Sequence, residues 1–262
     1  QKPGQRHRLC GNVLILADST SRWAQALRET SGRKEEIPGP EAFPMYISTL
    51  ISAFYDRAGV EILPDGQAGS LSIIGTVSPA GGNFDEPVTQ ATLLSTGALW
   101  ALSRALSDAR KYPAIDRIDS NSKYPSLLEE SEVAFLLELL REGKSIASNI
   151  VLMGEKGITD ESYVTYQKAE LLDAVFLQQN SFHEVDGVTS PERLRMMFDV
   201  IKEIIETPVA IRGKEEIRSH FNFVRQAFLD WNYMKPDEAG FDKQKTKLLN
   251  LVKQREHAPE NV

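Results

Sequence analysis

Cysteine is almost missing from this sequence, and its scarcity limits the chemistry that the chain can perform. Cys10 is the only cysteine in 262 residues, so no disulfide can form within the chain and no cluster of thiolate metal ligands is available. Such usage is typical of a reducing, cytoplasmic setting. The longest uninterrupted apolar runs fall far below the ~18 residues that a membrane-spanning helix needs. The sequence therefore argues against a disulfide scaffold and against a transmembrane segment.

Positive charge is also in short supply. The chain has 30 Lys and Arg residues against 37 Asp and Glu residues, which gives a net charge of −7. This balance argues against bulk electrostatic binding to nucleic acid or to anionic lipid. The remaining composition, 41% hydrophobic and 26% charged, is that of an ordinary globular protein with room for one large domain or two smaller ones. Because residues 1–11 are polar and lack an initiator methionine, we expect the chain to be an interior part of a longer protein.

A run of apolar residues that ends in an acid is the first feature with possible chemical meaning. Val13–Leu16 reads as a buried strand, and Asp18 follows it almost at once. Nucleotide-hydrolysing α/β folds use such a strand to bring a carboxylate to the magnesium of a bound nucleotide. A core strand that happens to end at a turn-forming Asp gives the same pattern. The strand and the acid alone leave both interpretations open.

The first half of the chain alternates short strands with helices, which predicts a parallel sheet with right-handed crossovers. Ser21 is a plausible N-cap for the first helix. The predicted elements are a strand at 13–17, a helix from Ser21 to Thr30, a loop at 31–42, a helix at 45–58, strands at 71–77 and within 91–99, and a helix at 102–110.

The character of the sequence changes near Lys123. From Leu127 onward the apolar residues recur at helical spacing, which predicts a bundle of about five helices. One of these helices has a clear start, because Ser190 is followed by proline at the first helical position. We therefore divide the chain into residues 1–124, an α/β part, and residues 125–262, a helical domain.

Four separated segments resemble the catalytic A-type chain of the vacuolar and archaeal-type rotary ATPases, and they occur in the family's order. They are Ala17–Glu29 with Ser31–Arg33 and Pro44–Tyr46, then Ser78–Thr92, Tyr112–Ser122 and Phe176–Phe182. The Gly-Gly-Asn-Phe-Asp-Glu-Pro-Val loop within the second segment is a feature of the catalytic chain and is missing from the related non-catalytic B subunit. The resemblance implies a fold: the C-terminal part of a RecA-like P-loop domain, with helices around a parallel sheet, followed by an α-helical bundle.

The resemblance assigns roles to three residues of the first half. Asp18 corresponds to the Walker B acid, which orders a water on Mg²⁺; a hard cation that keeps several waters needs only such an indirect carboxylate. Arg22 falls where the family keeps an arginine near the γ-phosphate, although a structural ion pair with Asp18 is an equal alternative. Ser78 corresponds to a polar group that senses the γ-phosphate, but a simple loop serine beside Pro79 is the more common interpretation.

Two aromatic residues correspond to the pair that flanks the adenine of ATP or ADP in this family. Tyr112 lies on one side of the base and Phe182 on the other, in a more variable segment. Without the resemblance, each ring would more often belong to a hydrophobic core. A ring stacked on a base contributes roughly 1–3 kcal/mol of binding, so its loss should raise KM more than it lowers kcat.

Two weaker signals do not support a site. Gly143-Lys144-Ser145 mimics the end of a phosphate-binding loop, but it follows a helix where the motif needs a strand, and we assign it to a helix end. The four histidines show no metal-ligand spacing. His183 and Glu184 are typical of a surface turn.

The family also needs a Gly-rich phosphate loop and an upstream glutamate, and neither motif occurs in these 262 residues. The resemblance implies a subunit that couples ATP hydrolysis or synthesis to rotor turning and to H⁺ or Na⁺ transport. Its partners would be the B subunit, in an alternating A₃B₃ ring, and the central and peripheral stalks. It would contact the membrane sector only indirectly and would not bind nucleic acid. It would lie on the cytoplasmic face of a membrane.

The chain alone should be nearly inactive, since the B subunit supplies an arginine finger worth about 10³–10⁵ in rate. The alternative is a non-enzymatic fragment that provides only interfaces.

Overall fold

The structure, a computed structural model, describes residues 11–62, 64 and 66–253. Cys10 lies outside the described residues. The chain divides into two compact units, with the division between Leu99 and Trp100. Within the described helices, none has the length and the apolar character that crossing a membrane requires.

The first unit contains a small sheet and three α-helices. Its elements are β1 Asn12–Ala17, α1 Thr20–Arg33, α2 Ile47–Tyr55, β2 Gly59–Ile62, β3 Ala68–Gly75, α3 Pro87–Ser95 and β4 Ala98–Leu99, with short 3₁₀ turns at Pro40–Ala42 and Ala80–Gly82. In the described part of the chain, β1, β3 and β2 form a three-stranded sheet in that order.

The parallel pairing predicted from the sequence occurs between β1 and β3. Asn12 lies beside Ser70 at one end of the pair and Ala17 beside Gly75 at the other, so the carboxyl ends of both strands meet. The short strand β2 was not predicted, and it pairs with β3 in the antiparallel sense. It escaped the sequence pattern because four residues before a turn carry too little periodicity to separate from a loop.

The prediction that the first strand is buried is wrong in this structure. β1 lies at the edge of the described sheet, with β3 as its one neighbour there. Its four large apolar residues, Val13–Leu16, all remain exposed, and Leu16 keeps 69% of its surface accessible to solvent. A strand is buried only when both of its faces are covered, and residue identity alone does not supply that cover.

Several predicted boundaries of the first unit also change. The strand predicted within 91–99 is confined to its last two residues, Ala98–Leu99, because α3 begins at Pro87 and continues to Ser95. In this helix the hydroxyls of Thr92 and Ser95 donate to the carbonyls of Val88 and Ala91, one turn earlier. The helix predicted from Ser21 begins at Thr20 and runs into the predicted loop, as far as Arg33.

The predicted limits of three further elements move by a few residues. The helix predicted at 45–58 is shorter, Ile47–Tyr55, and it buries Ile47 and Ile51 as the spacing indicated. The strand predicted at 71–77 starts and ends earlier, at Ala68–Gly75. The helix predicted at 102–110 covers Arg104–Asp108. The core of this unit is formed by Ala24, Phe43, Ile47, Ile51, Tyr55, Val88 and Ala91.

From Glu130 to Lys253 the second unit is helical, as the apolar spacing after Leu127 predicted. After α4 Arg104–Asp108 and the short strand β5 Asn121–Ser122 come α5 Glu130–Met153, α6 Asp160–Leu172 with a π-helical extension at Asp173–Leu177, α7 Pro191–Glu206, α8 Lys214–Asn232 and α9 Phe241–Lys253. The Ser190 hydroxyl accepts a hydrogen bond from the Arg193 N–H, so Ser190 is the N-cap of α7.

The helices of the second unit share one large core. Its fully buried members include Leu172, Phe198, Ile201, Phe228 and Trp231. The Gly143-Lys144-Ser145 segment, which we assigned to a helix end, lies instead inside α5. A Cβ at Gly143 would lie 2.4 Å from the Cβ of Ala169, so glycine permits the close packing of α5 on α6.

Candidate functional site

The first group of predicted site residues lies where β1 and β3 end. Asp18 follows β1 directly, and one of its carboxylate oxygens accepts a hydrogen bond from the Thr76 hydroxyl at 3.0 Å. Thr76 follows β3, and its N–H donates to the Ala17 carbonyl at 3.0 Å. The parallel pair thus brings an acid and a hydroxyl to one edge of the sheet, which is where open α/β folds bind their ligands.

The start of α1 is attached to the same edge. The backbone N–H and the hydroxyl of Thr20 both donate to the Thr76 carbonyl, at 3.0 and 3.1 Å. The Ser78 N–H donates to the Ser21 hydroxyl at 2.9 Å, so Ser78 lies beside the first turn of α1. The structure therefore brings Asp18 and Ser78 to one edge of the first unit, with the amino end of a 14-residue helix between them.

Close packing beneath this edge depends on one glycine. A Cβ at Gly75 would lie 2.0 Å from the Tyr55 hydroxyl oxygen and 3.3 Å from a methyl carbon of Thr20. Tyr55 is buried under the sheet, and this burial raises the pKa of its hydroxyl. Gly75 thus lets α2 approach the point where β3 ends and α1 begins.

Arg22 is exposed on the first turns of α1. Across the residues that the structure describes, no ion pair joins Arg22 to Asp18, so the structural pairing left open by the sequence is not formed. The Arg22 guanidinium group lies at the end of a long side chain on α1. This helix begins at the carboxyl edge of β1 and β3, which we call the Asp18 edge.

The oxygen groups at this edge suit a hard cation whose remaining ligands are waters or phosphate oxygens. Asp18 offers one carboxylate, and hydroxyls are available at Thr76, Ser78 and Ser21. In the described part of the chain, no group of three or more His, Cys, Asp or Glu side chains could hold a metal ion. One carboxylate with hydroxyl neighbours fits Mg²⁺, which keeps several waters and takes further oxygens from phosphate groups.

The two predicted adenine-contacting aromatics lie in the second unit, and neither belongs to its core. Tyr112 is 54% exposed and Phe182 is 99% exposed. Their backbone segments are joined, because the Gln179 N–H donates to the Tyr112 carbonyl at 3.1 Å. This exposure removes the core alternative for both rings and leaves them available to a ligand or partner.

The loop that carries Phe182 is held by its own hydrogen bonds. Asp186 accepts a bond from the Asn180 N–H at 2.6 Å, and its carbonyl accepts one from the Gln179 side chain at 2.7 Å. A Cβ at Gly187 would lie 2.8 Å from the His183 carbonyl oxygen, so glycine closes this turn. The turn predicted at His183 is thus an ordered part of the Phe182 loop.

Sequence reasoning missed a charged cluster beside these two segments. Asp173 is only 8% exposed and forms ion pairs with Lys111 at 2.8 Å and Arg117 at 3.2 Å. Burial alone would lower the pKa of Lys111, but its hydrogen bond to Asp173 and the charge of Glu170 raise it above the usual value. An acid inside the apolar stretch that follows α6 was the one signal in the sequence that could have revealed the cluster.

The fold defines the class of the chain: an α/β unit with an acid at the carboxyl edge of a parallel strand pair, continued by a mainly helical unit. Comparison with known proteins identifies this combination. Residues 7–122 match the model of the ATP synthase alpha/beta family, nucleotide-binding domain. Residues 133–216 match the model of the C-terminal domain of V and A type ATP synthase.

Individual relatives agree with both matches. The V-type ATP synthase alpha chain of Treponema denticola is 54% identical over 85% of this chain, and that of Borrelia turicatae is 48% identical over 96%. This chain spans only 38% and 44% of those relatives' lengths. Among solved structures, the ATP synthase subunit NeqB of Nanoarcheaum equitans superposes with a TM-score of 0.62 at 25% identity, covering 75% of this chain and 48% of NeqB.

The chain therefore belongs to the ATP synthase alpha/beta family, in its V- and A-type branch. It comprises a nucleotide-binding part and a C-terminal helical part.

Proposed function

We propose that this chain is part of the catalytic A-type chain of a rotary ATPase, in which ATP hydrolysis or synthesis is coupled to rotor turning and to H⁺ or Na⁺ transport. The relatives that carry the name V-type ATP synthase alpha chain support this role through their identity over most of the chain. The first unit would then be the later part of a RecA-like P-loop domain. The nucleotide-binding part would end near residue 124, since the first family match stops at 122 and the second begins at 133.

The observation that carries the proposal is the position of Asp18 at the carboxyl edge of the β1–β3 pair. Its exposed carboxylate is fixed by Thr76 and has acceptor capacity left for a water molecule. When bound, Mg²⁺ would neutralise charge on the phosphate oxygens of ATP. Asp18 would orient a water of that ion rather than bind the ion directly, as a single carboxylate suits a metal that keeps its waters.

Two further residues of this edge would act on the γ-phosphate. Arg22 extends from α1 with no ion-pair partner at Asp18, so its guanidinium group is available for phosphate oxygens. Ser78 is fixed by the bond from its N–H to Ser21, which leaves its own hydroxyl exposed at the edge. Its loop would respond to whether the terminal phosphate is present.

Tyr112 and Phe182 would hold the adenine of ATP or ADP. Their exposure supports this role, because two large aromatic side chains in ordered segments are left without core contacts. Stacking on a base contributes equally before and in the transition state, so these rings would set affinity rather than turnover.

The proposed partners follow from the same assignment. The chain would alternate with the B subunit in an A₃B₃ ring, contact the central and peripheral stalks, and reach the membrane sector only indirectly. It would lie on the cytoplasmic face of the membrane. The B subunit would contribute an arginine to the site, so the chain alone would be nearly inactive.

The test replaces Asp18 by Asn in the assembled ATPase. We expect Asp18→Asn to abolish turnover, with a loss of about 10²–10³-fold or more, because the water on the metal is no longer oriented by a charge. Asp56→Asn is the matched control, since Asp56 is also an exposed acid of the first unit, at the carboxyl end of α2. Turnover retained in Asp18→Asn would show that the metal assignment is wrong.

A non-enzymatic role is the second candidate, and the missing phosphate-loop motif favours it for this chain in isolation. In that case the chain would provide only interfaces. We expect negligible binding of Mg-ATP to the isolated chain, which calorimetry measures. A Kd below about 10 μM would show that the chain forms a nucleotide site without a phosphate loop.

A further inference from the structure

We infer that Asp173 is a positioning residue that joins the two adenine-contacting segments into one body. The Tyr112 segment is residues 111–117, and the Phe182 segment is residues 178–182. This inference rests on the proposed contact of Tyr112 and Phe182 with the base. It assigns a task to a buried acid that lies outside the Asp18 edge and touches no proposed ligand.

The carboxylate of Asp173 binds the Tyr112 segment at both ends. Lys111, the residue before Tyr112, donates to one carboxylate oxygen at 2.8 Å. Arg117, at the other end of the segment, pairs with the second oxygen at 3.2 Å. Two cations bound to the two oxygens of one carboxylate fix the chain between them more firmly than either cation alone.

The same carboxylate also binds the start of the Phe182 segment. The Gln178 side chain donates to Asp173 at 3.2 Å, to the oxygen that Lys111 uses. The Gln178 N–H donates to the Asp173 carbonyl at 3.0 Å, at the end of the π-helical turn. Asp173 therefore holds both segments through side-chain and backbone atoms.

Two direct bonds complete the connection between the segments. A guanidinium nitrogen of Arg117 donates to the Leu177 carbonyl at 3.1 Å. The Gln179 N–H donates to the carbonyl of Tyr112 at 3.1 Å. Because Arg117 is held by Asp173, loss of the carboxylate weakens the first of these bonds and removes the constraint that keeps the second in place.

The negative charge of Asp173, rather than the shape of its side chain, holds Lys111 and Arg117 in place. The side chains of Lys111 and Arg117 are 29% and 17% exposed, and Glu170 adds only a longer contact to Lys111, at 3.4 Å. Asp173→Asn keeps the shape but leaves two cations facing a neutral amide. Removal of one member of a buried charged group is costly because the remaining charges lose their compensation.

The first measurement follows hydrogen exchange of the Gln179 amide in the full chain. We expect this amide to exchange about tenfold faster in Asp173→Asn, since its bond to the Tyr112 carbonyl opens more often. Glu132→Gln is the matched control. Its carboxylate has a side-chain exposure of 11% against 12% for Asp173, pairs with Arg195 at 2.7 Å and is bonded to neither segment. Unchanged exchange at Gln179 in Asp173→Asn overturns the inference.

The second measurement separates positioning from general support of the fold. In the assembled ATPase we expect Asp173→Asn to raise the KM for ATP about fivefold to tenfold while kcat is kept, because the rings contribute uniform binding. Glu132→Gln should leave KM unchanged. An equal rise of KM in both variants would show that Asp173 only supports the fold and would overturn the inference.

A failure of the proposed function gives a different result. In that case the Gln179 amide still exchanges faster in Asp173→Asn, but KM stays constant both in this variant and in Tyr112→Ala. That outcome removes the contact with the base, and the positioning role with it, while the connection between the segments stands.

Discussion

The two units of the molecule differ in the size and the place of their apolar cores. The helical unit has one large core, in which Leu172, Phe198 and Phe228 are fully inaccessible to solvent. In the sheet unit the core is small and lies among the helices, while Val13–Leu16 of β1 stay exposed. A helix needs cover on one stripe only, but a strand of a parallel sheet needs it on both faces. The helices of the second unit can therefore cover one another's apolar stripes without a further domain.

The polar groups differ between the units as well. At the sheet edge, Asp18 and Ser78 are exposed and have few bonds, which leaves them capacity for a ligand. In the helical unit, Asp173 is buried and bonded to three side chains. The comparison suggests that the first unit presents its acid to a ligand, whereas the second uses its acid to hold exposed rings in place.

The sharpest test of this difference makes the same substitution in both units. Leu172→Ala removes a fully buried side chain and should lower the free energy of unfolding of the helical unit by about 2–5 kcal/mol. Leu16→Ala removes an exposed side chain and should change stability by no more than about 0.5 kcal/mol. Urea unfolding followed by circular dichroism measures both. A cost at Leu16 equal to that at Leu172 would contradict the comparison.

A second pair of substitutions tests close packing in each unit. A Cβ at Gly75 would meet the Tyr55 hydroxyl, and one at Gly143 would meet the Cβ of Ala169. We expect Gly75→Ala and Gly143→Ala each to cost about 1–3 kcal/mol in the unfolding of its own unit. Removing the neighbouring atom should recover part of the loss, through Tyr55→Phe in the first case and Ala169→Gly in the second. If neither double variant recovers stability, the close approach is not the cause.

A third prediction concerns the exposed rings of the helical unit. Tyr112→Ala and Phe182→Ala should each weaken nucleotide binding in the assembled ATPase by roughly 1–3 kcal/mol, seen as a rise in KM with little change in kcat. Their exposure implies that neither substitution alters the unfolding of the chain. Trp100→Ala, which removes another exposed aromatic of the same unit, is the control. A large loss of stability in either ring variant would mean that the ring supports the fold.

The smallest effect is an acid sensitivity that both units share. Hydrogen bonds from Ser31 and Tyr46 lower the pKa of Glu36 below its ordinary value of 4.5, and the hydrogen bond from Arg195 lowers that of Glu132. A lowered folded-state pKa means that the ionised form is favoured in the folded protein. Its contribution to stability is therefore complete above about pH 4.5 and is lost as the pH falls through the folded-state value.

Substitution by Gln tests this assignment in each unit separately. Glu36→Gln should reduce the acid sensitivity of the sheet unit, and Glu132→Gln that of the helical unit, as measured by unfolding between about pH 3 and 7. Added salt should weaken the Glu132 contribution more, because its partner carries a charge whereas the partners of Glu36 are neutral hydroxyls. Identical pH profiles for the variants and the unsubstituted chain would rule out both contributions.

Much of the helical unit could be predicted from the sequence, because the cause of each helix is local. The spacing of Phe221, Val224 and Phe228 defined one buried stripe, and Ser190 with Pro191 marked the start of α7. The sheet unit was predicted less well. Its two parallel strands were recognised, but α3 was not predicted, the strand within 91–99 has only two residues, and β2 was missed, since short segments are decided by what packs against them.

One part of the candidate site could be predicted from the sequence and another could not. Asp18 could be singled out as a candidate because it follows an apolar run directly, and the parallel pairing of β1 with β3 explains why Thr76 lies beside it. The charged cluster around Asp173 could not be derived, because Lys111 lies 62 residues away along the chain. Sequence spacing carries no information on which distant cation will pair with a buried acid.

The sequence by itself determined the helical periodicity, the acid at the end of β1 and the motifs that relate the chain to rotary ATPase subunits. These features are local, so the order of residues is enough to define them. Only the tertiary structure decided that β1 is exposed, that the Tyr112 and Phe182 rings lie outside the core and that Asp173 joins their segments. Burial and charge pairing are properties of residues brought together from distant positions, and they come into being only when the chain has folded.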